Sequence, residues 1–347
     1  MEITKAKRIE WVDYVKTFAC FLVVLGHLLQ SLQKSNLDNY VSITGYINWF
    51  IYLFHMPLFM CMSGFLYSKK NKRFSWNEYK EFEKKKIINL SIPYITFYLL
   101  FLGINIIFSS QVNTPKGIEE LKGIINNPMP PYWFLYALLS IFILIPILEK
   151  VLNHNKKNIF TLLCILKIIA IFWNSKIYFI SSFMKYAIYF YLGAFIKEET
   201  KNKNIQYIFA MIIYIVCSMI LFKYENSIEI HIIKFIKIIF ALGGIMISVN
   251  LLRNIKLSKI LDIFKKYTFQ IYLTHTIFCA GIRILLLKLN VNNYFIHLIL
   301  GMGVGMFFPV AISLISNKIK YTNFFFYPLK TIEELKERKD KNVREET

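Results

Sequence analysis

The sequence predicts an all-α polytopic membrane bundle of about ten transmembrane helices with both termini cytoplasmic. Composition is the first reason: the 347 residues are 56% hydrophobic and only 18% charged, too apolar for a soluble domain. The second is that the apolar residues come in blocks long enough to cross a bilayer. The third is charge placement. With the amino terminus inside, about 30 of the 42 Lys and Arg fall in inside segments, the bias expected of cytoplasmic loops. The outside loops hold only Lys34, Lys116, Lys122, Lys176 and Lys223. Shifting the register by one helix would invert the bias, so the net charge of +21 reads as orientation in a cell membrane rather than as a nucleic-acid partner.

The spans lie near residues 11–33, 44–67, 87–109, 132–150, 159–173, 178–196, 205–222, 230–252, 267–289 and 294–316. The first is not a cleavable signal peptide, since its core is long, carries internal charges and lacks a small-residue cleavage site. Pro57 lies inside the second, where it frees backbone groups and invites a kink or a wet pocket. Lys84, Lys85 and Lys86 enter the third, and Pro93-Tyr94 interrupts it. The outside loop from Ser110 ends in Asn126-Asn127-Pro128-Met129-Pro130-Pro131, an irregular turn feeding a helix that starts at Tyr132. No hydrophilic stretch is long enough for a second domain, which leaves one membrane domain over 1–330 and a charged tail over 331–347, solvated or frayed from Glu333 on. The cysteines Cys20, Cys61, Cys164, Cys217 and Cys279 are odd in number and all within apolar segments, so they read as reduced packing residues rather than a disulfide framework or a zinc cluster.

The first span carries ionisable groups on one stripe. At 100° per residue, Lys16 and His27 are about 20° apart in azimuth and about 16 Å apart along the axis, with Asp13 about 40° from His27 and Cys20 between. A charged group in hydrocarbon costs several kcal/mol unless it faces a polar interior, so this helix lines a site rather than lipid. An imidazole at such depth suits proton transfer, with interhelical packing as the plainer reading. Arg8, Asp13 and Lys16 cluster at the cytoplasmic mouth, where Arg8 is either a positive-inside anchor or a ligand for anionic groups. Lys16 with Asp13 could meet the phosphates of a cytosolic donor.

Other candidates follow in order. His55, in Phe54-His55-Met56-Pro57-Leu58-Phe59, sits at a depth similar to His27 on an antiparallel neighbour, where two imidazoles could converge. The basic run at Lys84, Lys85 and Lys86 is a topology anchor, a contact for anionic lipid heads, or a site for a polyanionic cofactor. Tyr132, Trp133 and Tyr136 open the fourth span as an interfacial belt or as a platform for sugar faces. His275, about 12 Å inside the ninth span, needs a polar neighbour. Among the other intramembrane cations, Lys167 included, Lys234 and Lys237 can snorkel outward, whereas Lys185 and Arg283 lie deeper and face the interior.

These residues resemble the acyltransferase type 3 family, multi-span enzymes that place acyl groups on surface carbohydrates. The resemblance runs in order through Arg8, Asp13, Lys16 and Gly26-His27, the His55 segment with Ser63-Gly64-Phe65, Tyr132-Trp133-Phe134-Leu135-Tyr136, Tyr191-Leu192-Gly193 and Tyr272-Leu273-Thr274-His275. A basic residue, ten residues and then His is the family's first-span signature, matched by Lys16 and His27. It implies His27 as catalytic base, with Asp13, Lys16 and His55 supporting it. Arg8, Lys16, Lys85 and Lys86 become donor-binding residues, and Trp133, Tyr136 and His275 acceptor-binding ones. The chain departs from the family where Asn89 precedes Pro93 by four residues in place of Arg or Lys, which moves that basic role to Lys85 or Lys86 or loses it. The implied reaction moves an acyl group, acetyl foremost, from cytosolic acyl-CoA to a hydroxyl of a cell-surface or lipid-linked glycan, with no permanently bound cofactor. The rival reading is a transporter or flippase for such a glycan, weakened because acidic residues within the spans are almost absent apart from Asp13.

Overall fold

The first apolar block folds as α1 (Glu10–Lys34), with Glu10 and Asp13 in its first turn and Lys34 in its last, charges that oppose the helix dipole at each end. The structure is a computed structural model that describes residues 9–38, 40–70, 75–173, 175–198, 204–253, 259–319 and 322–345. Buried residues recur all round α1, from Val12 to Leu32, because it packs against α2 (Val41–Lys70), α9 (Ile230–Arg253), α10 (Lys259–Lys288) and α11 (Tyr294–Ser316). It is the central post of the bundle.

α3 (Trp76–Ile107) starts at a capping box, in which the Ser75 hydroxyl accepts from the Glu78 amide at 3.3 Å and the Ser75 amide donates to Glu78 at 2.7 Å. The loop after it holds more helix than its composition suggests: a 3-10 turn at Ile118–Lys122 and α4 (Gly123–Asn126). Tyr94 and Tyr98 of α3 reach up and donate to the carbonyls of Ile124 and Glu120, which folds this segment down over the bundle. α5 (Trp133–Val151) follows with Tyr132 as its N-cap residue. Then come α6 (Lys156–Phe172), capped by the Asn155 side chain, α7 (Tyr178–Leu192) and α8 (Asn204–Tyr224).

Ten helices coincide with the ten expected spans. Eight of them are long and apolar enough to cross a membrane; α6 and α7, at 17 and 15 residues, are shorter. Among the described residues there is no strand. All five cysteines are free. The tail, expected to be solvated or frayed from Glu333, is helical and continues α12 (Pro328–Glu345), with Glu333, Glu334 and Lys336 exposed. Pro328 suits a first helical position, Lys330 and Glu334 pair at 3.5 Å one turn apart, and the Asn89 side chain accepts from the Leu329 amide at 3.4 Å. Asn89 thus caps a helix at the position where the family resemblance leads one to expect a cation.

The bundle closes most tightly where α2 meets the end of α7. A Cβ on Gly64 would fall on the Phe190 carbonyl oxygen, and one on Gly193 on the Cys61 carbonyl and the Phe65 amide. The obstacle is backbone on both sides, so no rotamer change relieves it. Gly64→Ala is expected to destabilise the fold by about 1–3 kcal/mol or more. A lowered melting temperature in detergent and a smaller monodisperse fraction would report it; unchanged melting would show that the crossing is looser.

Candidate functional site

His27 stands at a junction of cavities. It is half-buried on α1 and lines two of them. One, of about 310 Å³, is walled by Gln30, Ser31, Lys34, Asn105, Thr276 and Arg283 and rimmed by Val112, Asn113, Thr114 and Lys116 of the loop after α3. The second, of about 170 Å³, runs from Val23 and Gln30 past Tyr52 and His55 to Trp133 and Tyr272. Tyr52, His55, Met56 and Trp133 also line a third cavity of about 590 Å³ between α2, α6, α7 and α9. Pro57 has no amide to offer the Leu53 carbonyl, and both residues line this third cavity, so a helical hydrogen bond is missing beside open space in an otherwise continuous helix.

Two further imidazoles approach His27. The His275 ring centroid is 5.3 Å away, and Tyr52 bridges toward His55 with centroid separations of 6.3 Å and 4.7 Å. Nδ1 of His275 lies 2.9 Å from the carbonyls of Ile271 and Tyr272, and Nδ1 of His55 lies 2.7 Å from that of Ile51. A carbonyl only accepts, so each Nδ1 carries the proton and each neutral ring keeps Nε2 as an acceptor. Nε2 of His275 is buried with no partner in the protein.

The walls are fixed by long-range bonds. Tyr272 donates to the Pro131 carbonyl and Tyr132 to the Leu273 carbonyl at 3.1 Å, which fastens the Pro-rich turn to α10 just before His275. Arg283, 3% exposed, donates to the hydroxyls of Ser31 at 2.9 Å and Ser35 at 3.1 Å. Asn113 donates to the Ser31 carbonyl at 2.7 Å, so the outer loop, α1 and α10 share one polar joint. Among the described residues no cluster of His, Cys, Asp or Glu could hold a metal ion.

The helices that build this junction fall within one family model, an acyltransferase domain that matches residues 9–315. The chain belongs to the acyltransferase type 3 family. This acyltransferase domain is also similar to nodulation protein NolL of Sinorhizobium fredii, 34% identical over 133 residues that make up 38% of this chain and 34% of that protein. Against nodulation protein NolL of Mesorhizobium japonicum the identity is 31% over 138 residues, 39% of this chain and 35% of the relative. The chain therefore spans about a third of the length of the curated relatives it matches. No solved structure matches it.

Within the acyltransferase domain the expected site residues divide into two groups. His27, His55, His275 and Trp133 meet around the 170 Å³ cavity or against it. Asp13 and Lys16 do not line any cavity that His27 lines. Ala19, Cys20 and Val24 are fully buried between the two levels, and the Cys20 thiol donates to the Thr268 carbonyl at 3.5 Å. Asp13 instead borders a separate cavity with Glu10, Asp262, Lys265 and Lys266. Arg8 lies outside the described residues. Lys85 is exposed, and the Lys86 ammonium lies 4.1 Å from the Phe142 ring centroid. Tyr136 packs among Tyr94, Tyr178 and Phe179 rather than on a cavity wall.

Sequence reasoning missed Gln30, Tyr52 and Thr276. Gln30 lies three residues after His27 and Tyr52 three before His55, the helical spacing that puts neighbours on one face, so the signal was present. In a cysteine-free background, Gln30→Cys is expected to react with a membrane-impermeant maleimide added from the side of the loop after α3, and Lys16→Cys is not. Reaction of both from that side, or of neither, would contradict this arrangement of cavities.

Proposed function

We propose that the chain transfers an acyl group, acetyl foremost, from acyl-CoA to a hydroxyl of a cell-surface or lipid-linked glycan, with His27 as general base. The observation that carries this reading is the convergence of separate cavities on one half-buried imidazole, as a reaction between two bound substrates requires. His275 can only accept at its unpartnered Nε2, so it favours the His27 tautomer that donates toward it and leaves the other His27 nitrogen free to take a proton.

The acceptor hydroxyl loses its proton to His27 as its oxygen bonds to the thioester carbonyl carbon. The Gln30 amide and the Thr276 hydroxyl, both on the cavity wall, are the donors offered to the resulting oxyanion. Collapse breaks the carbon–sulfur bond, and the proton on His27 passes to the departing thiolate. The charge bias puts this chemistry in the outer half of the bundle, whereas Arg8, Lys16, Lys85 and Lys86 are the residues proposed to receive the donor phosphates at the inner end. The donor arm then reaches His27 only when the α1–α10 seam at Cys20 and Thr268 parts. That same packed seam separates the His27 cavities from Asp13 and Lys16 among the described residues, which favours transfer over the transporter reading.

Purified protein in liposomes, given labelled acyl-CoA and candidate glycans, is expected to label the glycan covalently. His27→Ala should cut that transfer by about 100-fold or more at unchanged membrane abundance. His275→Ala should lower kcat by about 10- to 100-fold through misplacement of the base, with the acceptor KM little changed. Wild-type transfer by the His27→Ala variant would refute the assignment, and glycan flux without covalent label would favour the transporter.

A further inference from the structure

The 590 Å³ cavity is cationic. Lys167, Lys185, Lys234, Lys237 and His231 line the 590 Å³ space between α2, α6, α7 and α9, and no carboxylate is among its lining residues. Lys167 donates to the Lys185 carbonyl at 2.8 Å, with its ammonium 4.9 Å from the Tyr189 ring, and Lys234 approaches the Ile171 carbonyl at 3.4 Å. Carbonyls and ring faces satisfy a donor without cancelling its charge. Two carboxylates meet cations of this wall: Glu225 pairs with Lys237, and Glu229 lies 3.8 Å from His231. Several like charges gathered in one cavity within a membrane protein repel unless an anion joins them.

The cavity also adjoins the catalytic junction. His55, Tyr52 and Trp133 line both it and the smaller cavity that holds His27, and Trp133 packs at 5.0 Å on Tyr186, another lining residue. Its volume suits a ligand of one or two sugar units, and its apolar walls with a few convergent cations are those of a specific site rather than of a bulk surface. We infer that this cavity binds a phosphate group carried by the glycan acceptor, so that the anion on the lysines holds the sugar over Trp133 with its hydroxyl toward His27. This inference rests on the acyl-transfer reading above and adds the class of acceptor, a phosphorylated glycan. An ammonium cluster binds phosphate through charge and donors together, and Lys serves there as a point charge.

Pyrophosphate is the probe, since its binding is read without any turnover. Full-length protein in nanodiscs of neutral phosphatidylcholine is expected to bind pyrophosphate, with affinity falling as salt rises. The double variant Lys167→Gln with Lys234→Gln should weaken that binding at least about tenfold, and Lys167→Arg with Lys234→Arg should restore most of it. In transfer assays the Gln pair should raise KM for a phosphorylated acceptor by a similar factor while leaving kcat, and KM for the dephosphorylated acceptor, within about twofold. No pyrophosphate binding, or binding indifferent to the Gln pair, overturns the inference. Displacement by coenzyme A would assign the lysines to the donor, and displacement by phosphatidylglycerol nanodiscs alone would assign them to a lipid headgroup; either result also overturns it. If the wild type binds pyrophosphate but transfers no acyl group to any glycan, the reaction fails while the anion site stands.

Discussion

An imidazole inside a bilayer must be enclosed by protein or wetted by a cavity, and the architecture follows from meeting that requirement at His27. α1 is surrounded by α2, α9, α10 and α11, so the stripe that carries His27 never meets lipid. The neighbours then contribute what the ring lacks: α10 brings His275, α2 brings Tyr52 and His55, and the Pro-rich turn before α5 supplies the last wall. Tyr132 and Tyr272 tie the Pro-rich turn to α10 through backbone carbonyls, and each Nδ1 is held by a carbonyl one turn back in its own helix, so main-chain acceptors fix both the wall and the rings.

Much of this was legible in the linear chain because membrane solvation is a one-dimensional constraint. Blocks of apolar residues located all ten helices, and charge inside those blocks singled out His27, His55 and His275. Helical azimuth put Lys16 and His27 on one face, but azimuth says nothing about what packs between them. The Cys20 contact with Thr268, 248 positions away in the chain, separates the two levels, and no local pattern encodes it. The helical turns at 118–126 were hidden for a similar reason: they are held by Tyr94 and Tyr98 from another element rather than by their own composition. Tyr136 shows the converse, since its aromatic character drew attention to a residue that packs on other rings.

Asn89 illustrates how a departure from a family pattern can acquire a structural meaning. Where the resemblance leads one to expect a cation, α3 carries an amide that accepts from the start of α12, so this position joins the terminal helix to the bundle. The charged carboxy-terminal stretch thereby begins as a helix docked on α3. Gln270 adds a second tie on that side by donating to the Tyr327 hydroxyl at 2.8 Å.

α6 and α7 are the two short members of the bundle, about 26 Å and 23 Å long at the usual rise. A hydrocarbon layer is about 30 Å thick, so lipids beside this pair must compress or let headgroups sink to match them. The cationic cavity is bounded by these same helices. A local dip in the bilayer there lowers the polar boundary toward the cavity, so its lysines sit nearer the headgroup level than they would beside helices of full spanning length.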